Sequence, residues 1–131
     1  MARIDWVVAR LNNWALWSER QKAGGLGFAP SSVLLQAERV DQTREIRMPV
    51  DEIDGAVTDQ AVSSLKVPHP DLHRTLVRFY LDGAGIKAIG RECEVDPSSV
   101  KARLGRADRQ LANWFSDRAE RQQAAKRSFT P

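Results

Sequence analysis

The chain has one cysteine, Cys93, in 131 residues, so no internal disulfide can form and a reducing compartment is expected. Long apolar runs are missing too. None approaches the roughly 18 residues of a membrane span, and the opening MARIDWVVAR is too charged and too short for a signal peptide. Secretion and membrane insertion are thereby excluded, and a cytoplasmic protein is expected. Histidine is scarce. His69 and His73 lie four apart, but Pro70 interrupts the pair, and with Cys93 they fall short of the four ligands of a structural zinc. They read as a loop histidine and a surface histidine, and Cys93 as a buried small hydrophobe. The acids Asp51, Glu52, Asp54 and Asp59 lack the spacing of a calcium loop. Gly24-Gly25-Leu26-Gly27 has no lysine after it and no strand before it, so it is no phosphate loop. No nucleophile stands with a base. A non-enzyme without metal or cofactor is expected.

What is present suits one helical domain. Hydrophobic residues make up 42% of the chain, enough for a core. Charge is uneven: residues 1–65 hold seven basic and nine acidic side chains, whereas residues 66–131 hold thirteen and eight. A basic half joined to a slightly acidic half suggests that one end meets a polyanion and the other meets protein. We divide the chain into an N-terminal helical region (1–66), a DNA-binding region (67–120) and a flexible polar tail (121–131).

Ile4, Val7, Val8, Leu11, Trp14 and Ala15 repeat as a helical stripe, predicting a helix over residues 3–22 that ends at the glycines. Residues 24–49 read as a loop, with a short helix from Ser32 to Arg39. Asp54 is the expected cap of a helix running to Lys66, with Val57, Ala61, Val62 and Leu65 inward. Pro68 and Pro70 break the chain. Asp71 then opens a helix to Leu81 whose core side is Leu72, Leu76, Phe79 and Tyr80. Asp82-Gly83-Ala84-Gly85 turns the chain into a short helix, Ile86 to Cys93, and Glu94-Val95-Asp96 turns it again. Asp96 before Pro97 is a capping acid ahead of a proline at the first helical position. The last helix runs from Pro97 to Arg118 or beyond, with Val100, Leu104, Ala107, Leu111 and Trp114 inward. No strand is convincing, so the expected fold is all-α, a helical bundle.

Short helix, three-residue turn and long helix over residues 72–107 follow the layout of a helix-turn-helix, whose last element enters the major groove by its N-terminal end. The outer face of that helix is expected to carry Ser98, Ser99, Lys101, Ala102, Arg103, Gly105, Arg106 and Arg109. Small polar groups at its start can approach base edges and phosphates. Arg103 and Arg106 have the forked geometry for guanine or phosphate, and Lys101 and Arg109 suit the backbone. The competing interpretation is a solvated basic face on an ordinary surface helix.

The stretch Ala88-Ile89-Gly90 to Val95-Asp96-Pro97-Ser98-Ser99-Val100-Lys101-Ala102-Arg103-Leu104-Gly105-Arg106-Ala107 resembles region 4 of bacterial sigma factors. Four further features precede it: the helix around Arg10-Leu11-Asn12-Asn13-Trp14-Ala15, the Gly-rich loop, Ile53-Asp54-Gly55-Ala56, and Leu76-Val77-Arg78-Phe79-Tyr80. In that order the chain resembles the small lambdoid-phage antitermination Q proteins. It resembles the branch without a zinc-binding cysteine cluster, and Gly90 and Glu94 exchange the alanine and glycine expected around the turn. The resemblance implies a protein of a phage or prophage, in the cytoplasm of a bacterial host cell, that binds double-stranded DNA overlapping a late promoter. It would engage RNA polymerase paused with its sigma factor and travel with it through pauses and terminators. By the same resemblance Ser98, Ser99, Lys101, Ala102, Arg103 and Arg106 form the DNA-facing surface, with Lys87 and Arg91 near phosphates.

Trp14 and Trp114 fit core stripes, whereas Trp6 and Trp17 share a face beside the main stripe. Two indoles there suggest a protein interface, with polymerase or a second copy of the chain, against the alternative of a wide face buried under the Gly-rich loop. The runner-up function is a sigma-like or repressor-like regulator of initiation. A helical adaptor with a merely solubilising basic face is the third.

Overall fold

The computed structural model describes residues 3–25 and 50–129, and these form an all-α fold. Residues 26–49 of the expected 24–49 loop, with the expected short helix from Ser32 to Arg39, lie outside the described residues. Helix α1 spans Asp5–Gly25, α2 Glu52–Ser63, α3 Pro70–Leu76, α4 Ile86–Cys93 and α5 Pro97–Phe129. Among the described residues no helix is long and apolar enough to cross a membrane.

Val7, Leu11 and Trp14 of α1 meet Ala61 and Val62 of α2, Leu72 and Leu76 of α3, and Leu104, Ala107, Leu111 and Phe115 of α5 in one buried cluster. That cluster joins residues on both sides of the 66/67 division. Helix α1 crosses α2, and α3 and α4 both pack along α5. The inward stripe of α5 passes through Phe115, leaving Trp114 half-buried beside it. Trp114 is about 80° off the line set by Leu104, Leu111 and Phe115, because a helix advances about 100° per residue.

Several local features differ from the expectation. Asp51, not Asp54, caps α2: its carboxylate accepts from the Asp54 backbone N–H at 2.9 Å. Asn13 fixes this start from α1, its amide donating to the Asp51 carbonyl and its carbonyl accepting the Asp51 N–H, both at 2.9 Å. Gly24 and Gly25 form the last residues of α1 instead of lying beyond it. Residues 121–129 continue α5.

The helix expected from Asp71 to Leu81 starts at Pro70 and widens after Leu76 into a π-helical turn, Val77–Leu81. That turn closes with the Asp82 N–H donating to the Val77 carbonyl at 3.1 Å. It carries Arg78, which bonds Glu92 and Asp82, and Tyr80, which bonds Arg3.

Candidate nucleic-acid interface

Helices α4 and α5 meet through a tight turn whose closure explains its residues. The Val95 N–H donates to the Gly90 carbonyl at 2.9 Å, and a Cβ on Gly90 would sit 2.8 Å from the Val95 carbonyl oxygen. Only glycine leaves room for that approach. Glu94 ends α4 in the left-handed region, at φ 57°, where glycine is the easier residue. The Asp96 carbonyl accepts the N–H groups of Ser99 and Val100 at 2.9 and 3.2 Å, so Asp96 stands at the N-cap position with Pro97 first in the helix. Ile89 and Val100, both buried, lie on the inner sides of the two helices. Val95 is only half-buried.

This geometry brings Lys87 and Arg91 of α4 beside Ser99 of α5, around a shallow concavity that Glu94 and Asp96 also line. Lys87, Arg91, Ser98, Lys101, Arg106 and Arg109 are exposed, and Ser99, Ala102 and Arg103 half-buried. Gly105 is buried, contrary to its expected place on the outer face. The candidates do not share one face. At about 100° per residue, Ser99, Arg103 and Arg106 fall within about 60° of one another, whereas Lys101 lies about 160° from Arg103. Lys101 therefore lies nearly opposite Ser99 and Arg103, and borders the candidate surface only on its Ser98 side, about 60° away.

Glu92, on the same short helix as Lys87 and Arg91, is held by Arg78 of the π-helical turn. The Arg78 guanidinium forks onto it, Nε to Oε2 at 2.9 Å and Nη2 to Oε1, and reaches Asp82 at 3.0 Å. The hydrogen bonds from Arg78 hold the Glu92 carboxyl below its usual range, and those of Glu92 and Asp82 hold the Arg78 pKa above its own. An acid that would repel phosphate is thus neutralised within the fold.

Tryptophan placement separates the pair on α1. Trp6 is 47% exposed, its ring edge-on to Phe115 at 5.9 Å between centroids. Trp17 is half-buried against Gly55 of α2, so close that a Cβ there would lie 2.6 Å from the Trp17 Cβ. The side chain of Trp17 is engaged within the fold. Trp14 donates its indole N–H to Asp59 at 3.1 Å.

An ionic network at the centre of α5 is absent from the expectations above. Asp108 is fully buried, and its carboxylate accepts Arg3 Nε at 2.5 Å, Arg3 Nη2 at 3.0 Å and the Ile4 N–H at 3.1 Å. Arg3 also donates to the Tyr80 hydroxyl at 2.6 Å. Burial works against the Arg3 charge, but its hydrogen bonds to Asp108 and Tyr80 outweigh that and raise its pKa. Burial pushes the Tyr80 phenol up. A signal was available: Asp108 stands on the apolar stripe between Ala107 and Leu111, and a charge there requires a partner.

Among the described residues no three His, Cys, Asp or Glu side chains converge on a metal-sized site. His69 stands at the start of α3, its carbonyl accepting the His73 N–H at 3.1 Å. Comparison with curated proteins finds no match, and comparison with solved structures finds none either. The family model described as phage antitermination protein Q matches residues 4–119, almost the whole of the described fold, and the chain belongs to that family.

Proposed function

We propose that the protein is a non-enzymatic transcription antiterminator that binds promoter-proximal double-stranded DNA through α4 and α5 and loads onto paused RNA polymerase. In this reading the two helices act as a sigma region 4-like helix-turn-helix, with the first turns of α5 in the major groove. Ser98, Ser99, Ala102, Arg103 and Arg106 face base edges and adjoining phosphates. Lys87 and Arg91 hold one strand's backbone, and Lys101 and Arg109 flank it. The observation that carries the reading is the turn closed at Gly90 and Val95, which sets Lys87 and Arg91 beside Ser99 at the start of α5.

The less basic half takes the protein contact, with exposed Trp6 as its aromatic anchor toward the polymerase. Once loaded, the protein travels with polymerase and suppresses pausing and termination.

Binding to late-promoter DNA should weaken as salt rises, with a log–log slope of about −0.9 per phosphate neutralised. Arg106→Ala should cost about 1–3 kcal/mol on the specific site if it reads a base, and should lower specific and random binding equally if it touches only phosphate. Unchanged affinity in folded Arg103→Ala and Arg106→Ala proteins would contradict the assignment.

A further inference from the structure

Helix α4, which carries Lys87 and Arg91, has little of its own to hold it. It is eight residues long, well short of the ~12–15 at which an isolated helix becomes even marginally stable in water. Gly83, at φ 70°, and Gly85, at the N-cap, precede it. Its buried residues are Ile89 and Gly90. One large buried side chain pins a helix to its neighbour but leaves it free to roll about its own axis.

The positions around α4 show what stops that roll. At about 100° per residue, Lys87 and Arg91 lie about 40° apart and each about 160° from Ile89, so the basic side points away from the core. Gly90 borders that side about 60° from Lys87, and Glu92 borders it on the other flank, about 100° from Arg91. The turn holds the Gly90 flank, its Val95 N–H donating to the Gly90 carbonyl. Arg78 holds the Glu92 flank, and among the described residues its fork supplies the side-chain hydrogen bonds that tie α4 to another element. Two bonds from one rigid guanidinium fix a direction as well as a distance. Arg78 is itself steadied by Asp82 at 3.0 Å. Two residues on, the Tyr80 hydroxyl accepts from Arg3, whose guanidinium also grips Asp108 of α5.

We infer that Arg78 and Glu92 are positioning residues that set the roll of α4, and with it the direction in which Lys87 and Arg91 point. The π-helical turn is a brace between the two helices, joined to α4 through Arg78 and Glu92 and to α5 through Tyr80, Arg3 and Asp108. Its effect on phosphate contact rests on the DNA-binding reading proposed above, whereas the brace itself does not. The charge of Glu92 separates the brace from simple electrostatics. Removing an acid near Lys87 and Arg91 should tighten binding to a polyanion on charge grounds alone, but losing the brace should weaken it.

Two variants of the full chain test this. Glu92→Ala removes the acid and the fork, and Arg78→Lys keeps the charge but loses the fork. Both sites are on the surface, so both variants should fold. Without DNA, amide hydrogen exchange from Gly90 to Cys93 should quicken about tenfold in each, while that of Leu104 to Leu111 stays as in the wild type. Alanine is the better helix former, so faster exchange in Glu92→Ala is not a propensity effect. With a labelled random-sequence duplex titrated over a range of salt, both variants should bind more weakly. Their log–log salt slopes should be shallower by about 0.9 for each of Lys87 and Arg91 that loses its phosphate. Wild-type exchange in α4 of Glu92→Ala would overturn the inference, as would Glu92→Ala binding the duplex as tightly as the wild type or more so. A wild type that fails to bind the duplex at low salt would overturn the DNA-binding reading instead, and the exchange rates would then decide the brace.

Discussion

Replacing Asp108 probes the packing that holds α5 in place. Its carboxylate is fully buried and takes three hydrogen bonds, two from Arg3 and one from the Ile4 N–H. Asp108→Ala leaves the Arg3 guanidinium facing a cavity and strands the Ile4 donor. Breaking a buried pair from one side costs about 3–5 kcal/mol. Arg3 keeps 27% of its side-chain surface in solvent, so water recovers part of that charge and the expected loss is about 3 kcal/mol. For a chain of this size that lowers the melting temperature by roughly 10 °C.

The assay is a double-mutant cycle of Arg3→Met and Asp108→Leu in urea. Each single variant should lose stability, and the double should recover most of it, because apolar residues of similar volume replace a buried pair at little cost. Stability within about 0.5 kcal/mol of wild type for Asp108→Ala would refute the reasoning, because it would fall within the range of an ordinary surface substitution.

Other substitutions test single features. Glu94→Gly relieves a left-handed residue and should stabilise by about 0.5–1 kcal/mol after the entropy of glycine is offset, read as a higher denaturation midpoint. Gly55→Ala drives a methyl group into the root of the Trp17 side chain. Overpacking should outweigh the better helix propensity and destabilise by about 1–2 kcal/mol, seen in thermal melts. Glu92 is depressed in the fold from 4.5 by Arg78, so its contribution is present above that value and disappears as pH falls through the lower folded pKa. Melting curves of wild type and Arg78→Gln should differ at neutral pH and converge in acid.

The apolar stripes made the helices legible: Val7, Leu11 and Trp14, then Leu104 and Leu111, are buried where their spacing predicts. Local chemistry misled where two residues suit one role. Asp51 and Asp54 are both capping acids, and Asn13, 38 residues away, selects Asp51. Long-range geometry left no local trace. The π-helical turn at Val77–Leu81 follows a run that reads as ordinary helix, and Trp17 seats on Gly55 across two elements. In the candidate interface, the turn and its cap were readable from Gly90, Asp96 and Pro97. The split of the basic residues between faces was also legible from the helical period, whereas the burial of Gly105 was not. Asp108 was readable as a charge on an apolar stripe, but its partner Arg3 lies 105 residues away.

Single-round transcription in vitro tests the central claim most directly, using templates with and without the promoter-proximal DNA element and an intrinsic terminator downstream. The protein should raise readthrough only where the element is present, and Arg106→Ala should reduce the effect while the protein stays folded. Altered initiation with unchanged termination on both templates would contradict it.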